Sequence, residues 1–292
     1  TFASVPGILL AQYGASLDIA DALPTEPSRV IGHSQGVLAA AMLASDDPSE
    51  VLSLARLIGA AATKVTREAD AERLGEATSM LSVSGVPRTL LTELAETFNV
   101  DIAIVNSHSA IVVSGRPADL LLLVDELGRI AQASVAERAA KKTGGAPLSP
   151  VTEFLNVDAP FHSHILAPAV VLVEEWAARC DLHVENADVL ARAVLTDHLE
   201  WNTEVADAVA SLGSAEGYVV DLGPGNLQRL TTENLAGTGI TYVDAGTAPA
   251  RDELVSGQAR VVTSEDWSVH APKVATVRGH RVLDTAFSRL TG

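Results

Sequence analysis

The chain has 292 residues, 47% of them hydrophobic and only 4% aromatic, which is enough for one large or two smaller domains with an aliphatic core. Its formal net charge of −17 argues against nucleic acid or an anionic membrane surface as the main partner. A single cysteine, Cys180, excludes an internal disulfide, and no apolar run reaches the roughly 20 residues of a membrane span. We therefore expect a cytoplasmic protein. Because the chain begins without methionine, we also expect that it starts inside a larger polypeptide.

The first predicted elements surround a serine. Helical spacing predicts a helix over residues 5–20, and a short apolar strand over 28–31 runs into the motif Gly32-His33-Ser34-Gln35-Gly36. An alanine-rich helix over 37–44 follows directly. Strand, G-x-S-x-G and helix together are typical of a nucleophile elbow, in which glycines allow a sharp turn that exposes the serine hydroxyl. The first N–H groups of such a helix can stabilise an oxyanion.

The middle of the chain has a different pattern. After a helix over 49–68, the predicted order is strand, helix, strand, strand, helix, strand, which is the order of a ferredoxin-like unit. These six elements are predicted at 80–84, 87–98, 101–106, 110–114, 117–137 and 151–157. We interpret 77–158 as a ferredoxin-like subdomain inserted into a core formed by 1–76 and 159–245. The polar segment 141–145 is expected to be a surface loop.

The last third returns to the core pattern. Helices are predicted at 165–180, at a segment ending near 195 and at 202–212, followed by a strand at 217–222. That strand leads into Gly223-Pro224-Gly225, which opens a helix at Asn226. Residues 246–292 are weakly periodic and are predicted to be a linker toward a following domain. The fold class predicted from all elements is α/β, an α/β-hydrolase-like parallel-sheet core with the inserted subdomain.

A serine hydroxyl is a weak nucleophile and needs a base. His33 is next to Ser34, and adjacent elbow residues point away from each other, so it is a poor candidate. His162 lies at the end of a predicted strand, just after the rigid Pro160, and His164 competes with it two residues later. The residues alone leave open whether His162 is a base or a surface histidine.

Three motifs stand in an order that resembles the malonyl/acyl transferase family. They are the serine motif, Ala159-Pro160-Phe161-His162-Ser163-His164 and Asp221-Leu222-Gly223-Pro224-Gly225. With 79–84, Val105-Asn106 and 112–115, they resemble more closely the acetyltransferase domain of bacterial or fungal type I fatty acid synthases. The final residues, 284–292, resemble the segment that leads into the enoyl reductase domain of those synthases.

The resemblance implies roles for individual residues. Ser34 would accept the acyl group, and His162 would act first as general base and then as general acid. The backbone N–H of Gln35 would be one oxyanion donor, and a backbone carbonyl near Val194 would orient His162. In this family the second oxyanion donor is a glutamine in a Gly-Gln-Gly loop. This sequence lacks that motif, and the resemblance places it upstream of the first residue.

The acyl group is predicted from the helix after the elbow. Malonyl-specific members carry an Arg-Gly pair there, and the corresponding residues of this chain are Ile58 and Gly59. An isoleucine cannot pair a carboxylate, and a buried unpaired carboxylate is strongly unfavourable, so acetyl is predicted over malonyl. Arg56 lies about 200° away around the helix and is expected to face elsewhere. Asn106 is a candidate substrate-loop residue or a turn-forming asparagine.

The implied activity is transfer of an acetyl starter unit from acetyl-CoA, through a Ser34 ester, to the phosphopantetheine thiol of acyl carrier protein in fatty acid synthesis. No cofactor and no metal are expected in the domain. The expected partners are acyl carrier protein and the other domains of a homo- or hetero-oligomeric synthase. The sequence leaves as alternatives a malonyl or longer-acyl transferase of the same fold, a serine esterase or thioesterase, and a non-catalytic module.

Overall fold

The computed structural model describes residues 4–20, 23, 27–141, 147–213, 217–223, 228–256, 261–262 and 281–282. The helices are α1 Ser4–Ile19, α2 Gly36–Ala44, α3 Pro48–Glu68, α4 Arg88–Thr97, α5 Pro117–Lys141, α6 Ala167–Arg179, α7 Ala187–Leu195, α8 Trp201–Ser211, α9 Gln228–Leu235 and α10 Ala248–Val255. The strands are β1 Ile31–Gly32, β2 Met80–Ser84, β3 Asp101–Val105, β4 Ala110–Ser114, β5 Val151–Phe154, β6 Leu199–Glu200, β7 Gly217–Asp221, β8 Ile240–Asp244, β9 Val261–Val262 and β10 Arg281–Val282.

The inserted subdomain has the predicted ferredoxin-like arrangement. Its four strands lie in the order β5-β2-β4-β3, and all of its neighbouring pairs are antiparallel. Alternate strand residues such as Leu81 and Val113 point to one face and pack against Leu91 of α4 and Leu120 of α5. These residues form a hydrophobic cluster distinct from that of the core, so the insert has a packed interior of its own.

One strand of the core extends the sheet of the insert. Strand β6 pairs in parallel with β3, with Ile104 opposite Leu199 and Val105 opposite Glu200. An ion pair between Arg88 and Glu200 lies at the same junction. The insert and the core therefore share a sheet, so that β3 lies between the two parts of the molecule.

The core is built around the long helix α3. Asp47 caps its first turn by accepting a hydrogen bond from Ser49 N, and Pro48 occupies the first position, as is typical of helix starts. The buried face of α3 packs with α1, α2 and α6, and the fully buried Trp201 at the start of α8 belongs to the same cluster. Strands β7 and β8 are parallel, and β9 adds antiparallel to β8. The α/β fold class is confirmed.

Some predicted bounds are wrong. The elbow strand covers only Ile31–Gly32 instead of 28–31, and it pairs antiparallel with β10. Within 246–292, predicted as a linker, α10 packs on α1 through the Arg251–Asp18 ion pair, while β9 and β10 pair with core strands. Such short elements depend on distant partners, and local periodicity carries no signal for them. The segments 142–145, 224–225 and 284–292 lie outside the described residues.

Among the helices that the structure describes, none is long and apolar enough to cross a membrane.

Candidate active site

Ser34 lies at the sharp turn between β1 and α2. Its φ of 52° is in the left-handed region, which is uncommon for a residue other than glycine. Gly36 N donates to His33 O at 2.9 Å and Val37 N donates to Ser34 O at 3.1 Å, which closes the turn. A Cβ on Gly32 would lie 2.1 Å from the backbone carbon of Gly36, so only glycine fits there. The elbow geometry follows directly from the predicted motif.

The predicted nucleophile and base are in contact. Ser34 Oγ lies 2.8 Å from His162 Nε2, and His162 Nδ1 lies 2.7 Å from the backbone oxygen of Asp197. A carbonyl oxygen only accepts, so Nδ1 carries the proton and Nε2 is left as the acceptor for the Ser34 hydroxyl. We call Ser34 and His162 the dyad. It is the hydrogen-bond arrangement in which a serine can lose its proton to a base.

The carbonyl that orients His162 is not near Val194, as predicted, but belongs to Asp197. Helix α7 ends at Leu195, and the N–H groups of both Thr196 and Asp197 still donate to Arg192 O. Leu195 O is taken by Ser163 N at 3.1 Å. The carbonyl of Asp197 comes just after this closing turn, and it can therefore point at the imidazole. The predicted position was therefore three residues too early.

Burial lowers the pKa of His162 to about 4, and the hydrogen bond to Asp197 opposes that shift only in part. The residue as a whole is only 2% exposed. At neutral pH the imidazole is therefore uncharged, which is the form that can accept a proton.

A second neutral histidine supports the elbow. Burial lowers the pKa of His33 to about 4, against the opposing effect of its hydrogen bond to Asn106. The His33 Nε2 and Asn106 Oδ1 atoms are 2.8 Å apart, and the His33 ring meets Trp201 edge to face with centroids 5.1 Å apart. Asn106 O accepts a bond from Asn234 Nδ2 at 2.7 Å. The predicted substrate-loop candidate Asn106 is thus a buried residue that contacts the neighbour of Ser34.

The remaining predicted residues are placed as follows. Gln35 lies at the N-cap of α2, directly after Ser34. Ile58 is fully buried in the core cluster that also contains Leu38 and Phe161, whereas Arg56 is exposed. Among the residues whose burial the structure describes, no Lys or Arg side chain is buried. In that part of the chain there is also no group of His, Cys, Asp and Glu that could hold a metal ion.

Sequence reasoning missed several residues around the dyad. Asp101 of the insert accepts hydrogen bonds from the segment after His162, and Asn234 reaches Asn106 from α9. These contacts join residues more than 60 positions apart in the chain. No local pattern could have found them.

The chain resembles known proteins in both sequence and structure. Residues 79–154 match the family model described as the fatty acid synthase central AT domain. The fatty acid synthase beta subunit aflB of Emericella nidulans is 25% identical over 98% of this chain, and the beta subunit of Schizosaccharomyces pombe is 27% identical over 91%. The resemblance to the acyltransferase domain of type I fatty acid synthases is therefore confirmed. The chain spans only about one-sixth of these relatives, 16% and 15% of their lengths.

Solved structures share the fold of this synthase-like chain. The malonyl CoA-acyl carrier protein transacylase of Clostridium perfringens superposes with a TM-score of 0.66 at 17% identity, covering 93% of this chain and 81% of that one. The acyltransferase domain of an iterative polyketide synthase in enediyne biosynthesis gives a TM-score of 0.59 at 21% identity, covering 98% and 68%. At these identities the similarity establishes the fold.

Proposed function

We propose that this chain is the acyltransferase of a type I fatty acid synthase, and that it transfers an acetyl starter unit from acetyl-CoA to acyl carrier protein in the cytoplasm. The single observation that carries the proposal is the 2.8 Å contact between Ser34 Oγ and His162 Nε2. It is supported by the fatty acid synthase relatives, which match along most of the chain. Acyl carrier protein and the neighbouring synthase domains are the proposed partners.

The chemistry has two steps. The acetyl group first moves from the CoA thioester to an ester on Ser34, and then from this ester to a second thiol. His162 Nε2 takes the proton of Ser34 while Oγ attacks the thioester carbonyl of acetyl-CoA. The resulting oxyanion lies at the start of α2, where the Gln35 N–H can donate to it. The tetrahedral intermediate expels CoA thiolate, which receives the proton from His162, and acetyl-Ser34 remains. The phosphopantetheine thiol then attacks this ester by the same steps, which restores Ser34.

The backbone carbonyl of Asp197 takes the place that a carboxylate has in many serine hydrolases. It holds the Nδ1–H of His162 and stabilises the transient imidazolium without adding a full negative charge. The base therefore keeps a low pKa between turnovers. This arrangement supports a transferase whose acyl-serine waits for a thiol.

Acetyl is proposed over malonyl because no Lys or Arg side chain is buried among the residues whose burial the structure describes. Ile58 is fully buried, and the nearest arginine along α3, Arg56, is exposed. A malonyl carboxylate buried there would be left unpaired, at a cost of several kcal/mol. An acetyl group carries only a methyl into the same space.

The proposal is tested by covalent labelling of the full natural protein with radiolabelled acetyl-CoA and malonyl-CoA separately, followed by mapping of the labelled peptide. We expect acetyl on Ser34, no label in Ser34→Ala, and full label in the control Ser53→Ala, which removes a hydroxyl on α3. Label mainly from malonyl-CoA would overturn the acetyl assignment. Steady release of CoA without label would overturn transfer in favour of hydrolysis.

The acyl preference is tested by adding a charge at Ile58. Ile58→Arg is expected to raise malonyl labelling relative to acetyl labelling, while the control Leu57→Arg, at the adjacent and less buried position, leaves the ratio unchanged. Equal ratios in both folded variants would show that position 58 does not select the acyl group. If Ile58→Arg does not fold, the ratio in the natural protein still decides between acetyl and malonyl.

A further inference from the structure

Strand β3 of the insert carries at its start a carboxylate that contacts the turn of His162. Asp101 Oδ2 lies 2.5 Å from Ser163 Oγ, 3.1 Å from His164 N and 2.8 Å from His164 Nδ1. Each of these atoms can donate a hydrogen bond. The two residues that follow His162 are thus bound to one oxygen of a different part of the molecule.

Directly after the other end of β3, Asn106 contacts the turn of Ser34. Its Oδ1 is 2.8 Å from His33 Nε2, and its own backbone is fixed because Asn106 N donates to Ala110 O and Asn106 O accepts from Asn234. His33, just before the nucleophile, is therefore bound to the residue that directly follows β3, and the two residues after the base are bound to the first residue of β3.

The backbone of β3 also contacts the residue next to Asp197, whose carbonyl orients His162. Ile102 O lies 2.7 Å from His198 Nδ1, and the following residues of β6 pair with β3. His198 comes immediately after Asp197, whose carbonyl orients His162. The position of this carbonyl is set by the same strand.

We propose that β3 positions the dyad through His162, with Asp101 as the positioning residue, while Asn106, directly after β3, adds a contact to the locally closed turn of Ser34. This inference rests on the proposed function in that it takes Ser34 and His162 as the reacting pair. His162 has a φ of 57°, a conformation that residues other than glycine rarely adopt without support. The bonds from Asp101 to Ser163 and His164 supply that support directly beside the strained residue.

A positioning role for Asp101 predicts a different effect from that of an ordinary surface ion pair. The His164–Asp101 pair is partly exposed, with side-chain exposures of 57% and 31%, and as a surface pair it would affect stability only slightly. If Asp101 instead sets the dyad, its loss lets the imidazole move away from Ser34 Oγ. Displacements of about 1 Å in a reacting pair can cost roughly 100-fold in rate.

The test uses a readout that needs no acyl donor. A fluorophosphonate probe reacts with an activated serine, so its rate of reaction with Ser34 reports the geometry of the dyad in the full natural protein. Asp101→Ala is expected to lower this rate and the kcat of acyl transfer at least 10-fold, with little change in the KM for acetyl-CoA. Asp101→Asn, which keeps an acceptor oxygen, is expected to recover most of the loss.

Asp119→Asn is the matched control, because Asp119 is a carboxylate of the same insert with a side-chain exposure of 27% and an ion pair to Arg116. We expect natural rates in this variant. Rates in Asp101→Ala equal to those of the control would overturn the inference, as would absence of probe reaction at Ser34 in the natural protein. If Asp101→Ala does not fold, Ser163→Ala, which removes the shortest of the three bonds, carries the same expectation.

The two proposals fail in different ways. Probe reaction without acetyl or malonyl labelling in the natural protein would overturn the proposed function and leave the effect of Asp101 measurable. Acyl labelling with equal probe rates in all variants would leave the function in place and overturn the positioning role.

Discussion

The turns that carry Ser34 and His162 have nearly the same backbone conformation but are supported in opposite ways. Both residues are left-handed, with φ values of 52° and 57°. The serine turn is closed by hydrogen bonds between residues three apart and by the close approach of Gly32 and Gly36. The histidine turn is bound by Asp101, Leu195 and Asp197, all more than 30 residues away.

The backbone turn that carries a reacting side chain can thus be held by local contacts or by distant ones. A locally closed turn forms whenever its own glycines are present, and it is recognisable in any sequence. A turn that depends on distant contacts forms only when the whole fold is in place. The dyad combines one of each, so that a folded nucleophile turn alone does not make Ser34 reactive.

The largest effect should come from breaking the local turn. Gly32→Ala places a Cβ against the backbone of Gly36, which no rotamer change can relieve. We expect a loss of Ser34 acylation of about 1,000-fold, comparable to losing an oxyanion donor, because the N–H groups at the start of α2 are displaced. Rapid-quench labelling measures this rate. Gly128→Ala is the control, since a Cβ there meets nothing within 4 Å, and near-natural acylation in Gly32→Ala would contradict the proposed rigidity of the elbow.

Acidification should affect both turns together, through His33 and His162. Each has a pKa of about 4 in the folded protein against an ordinary value of about 6.5. Between pH 4 and 6.5, these two histidines bind more protons in the unfolded chain than in the folded protein. The free energy of unfolding therefore falls as the pH drops from about 6.5 to 4. The expected loss is on the order of 3 kcal/mol per histidine.

Denaturant unfolding at a series of pH values measures this dependence. His33→Gln or His162→Gln should each remove about half of it. The control His108→Gln, whose side chain is 86% exposed, should leave it intact. A stability that is flat between pH 6.5 and 4 would contradict the assignment of both histidines as neutral in the folded protein.

The smallest effect should come from the long-range contact to the serine turn. Asn106→Ala leaves the Nε2–H of His33 without its acceptor, which costs about 1–3 kcal/mol of folding free energy. Because the turn is mostly self-supporting, we expect Ser34 acylation to fall less than 10-fold. Asn156→Ala, which removes an exposed contact to Arg73, is the control. A loss as large as that of Gly32→Ala would mean that the two turns are supported alike.

The same distinction explains what the sequence could predict. Strands β2 and β4 have the predicted ends, because each is a short, mainly apolar run bounded by turn residues. The nucleophile was predictable because the elbow is local. His162 needed a family resemblance, and Asp197 was missed by three residues because nothing near it in the chain marks which carbonyl faces the imidazole. Asp101 had no signal, since its partners lie 62 and 63 residues away.

The parallel pairing of β6 with β3 has a consequence for motion. Swinging the insert outward from the core would break that pairing, the Arg88–Glu200 ion pair and the contacts of Asp101 and Asn106 at the same time. Asp101 belongs to β3, Asn106 directly follows it, and the Arg88–Glu200 ion pair lies beside the pairing of β3 with β6. The contacts of Asp101 reach the turn of His162, and that of Asn106 reaches the turn of Ser34. We therefore expect the insert and the core to move as one rigid body during turnover, with thioesters entering a preformed cleft instead of one covered by a swinging lid.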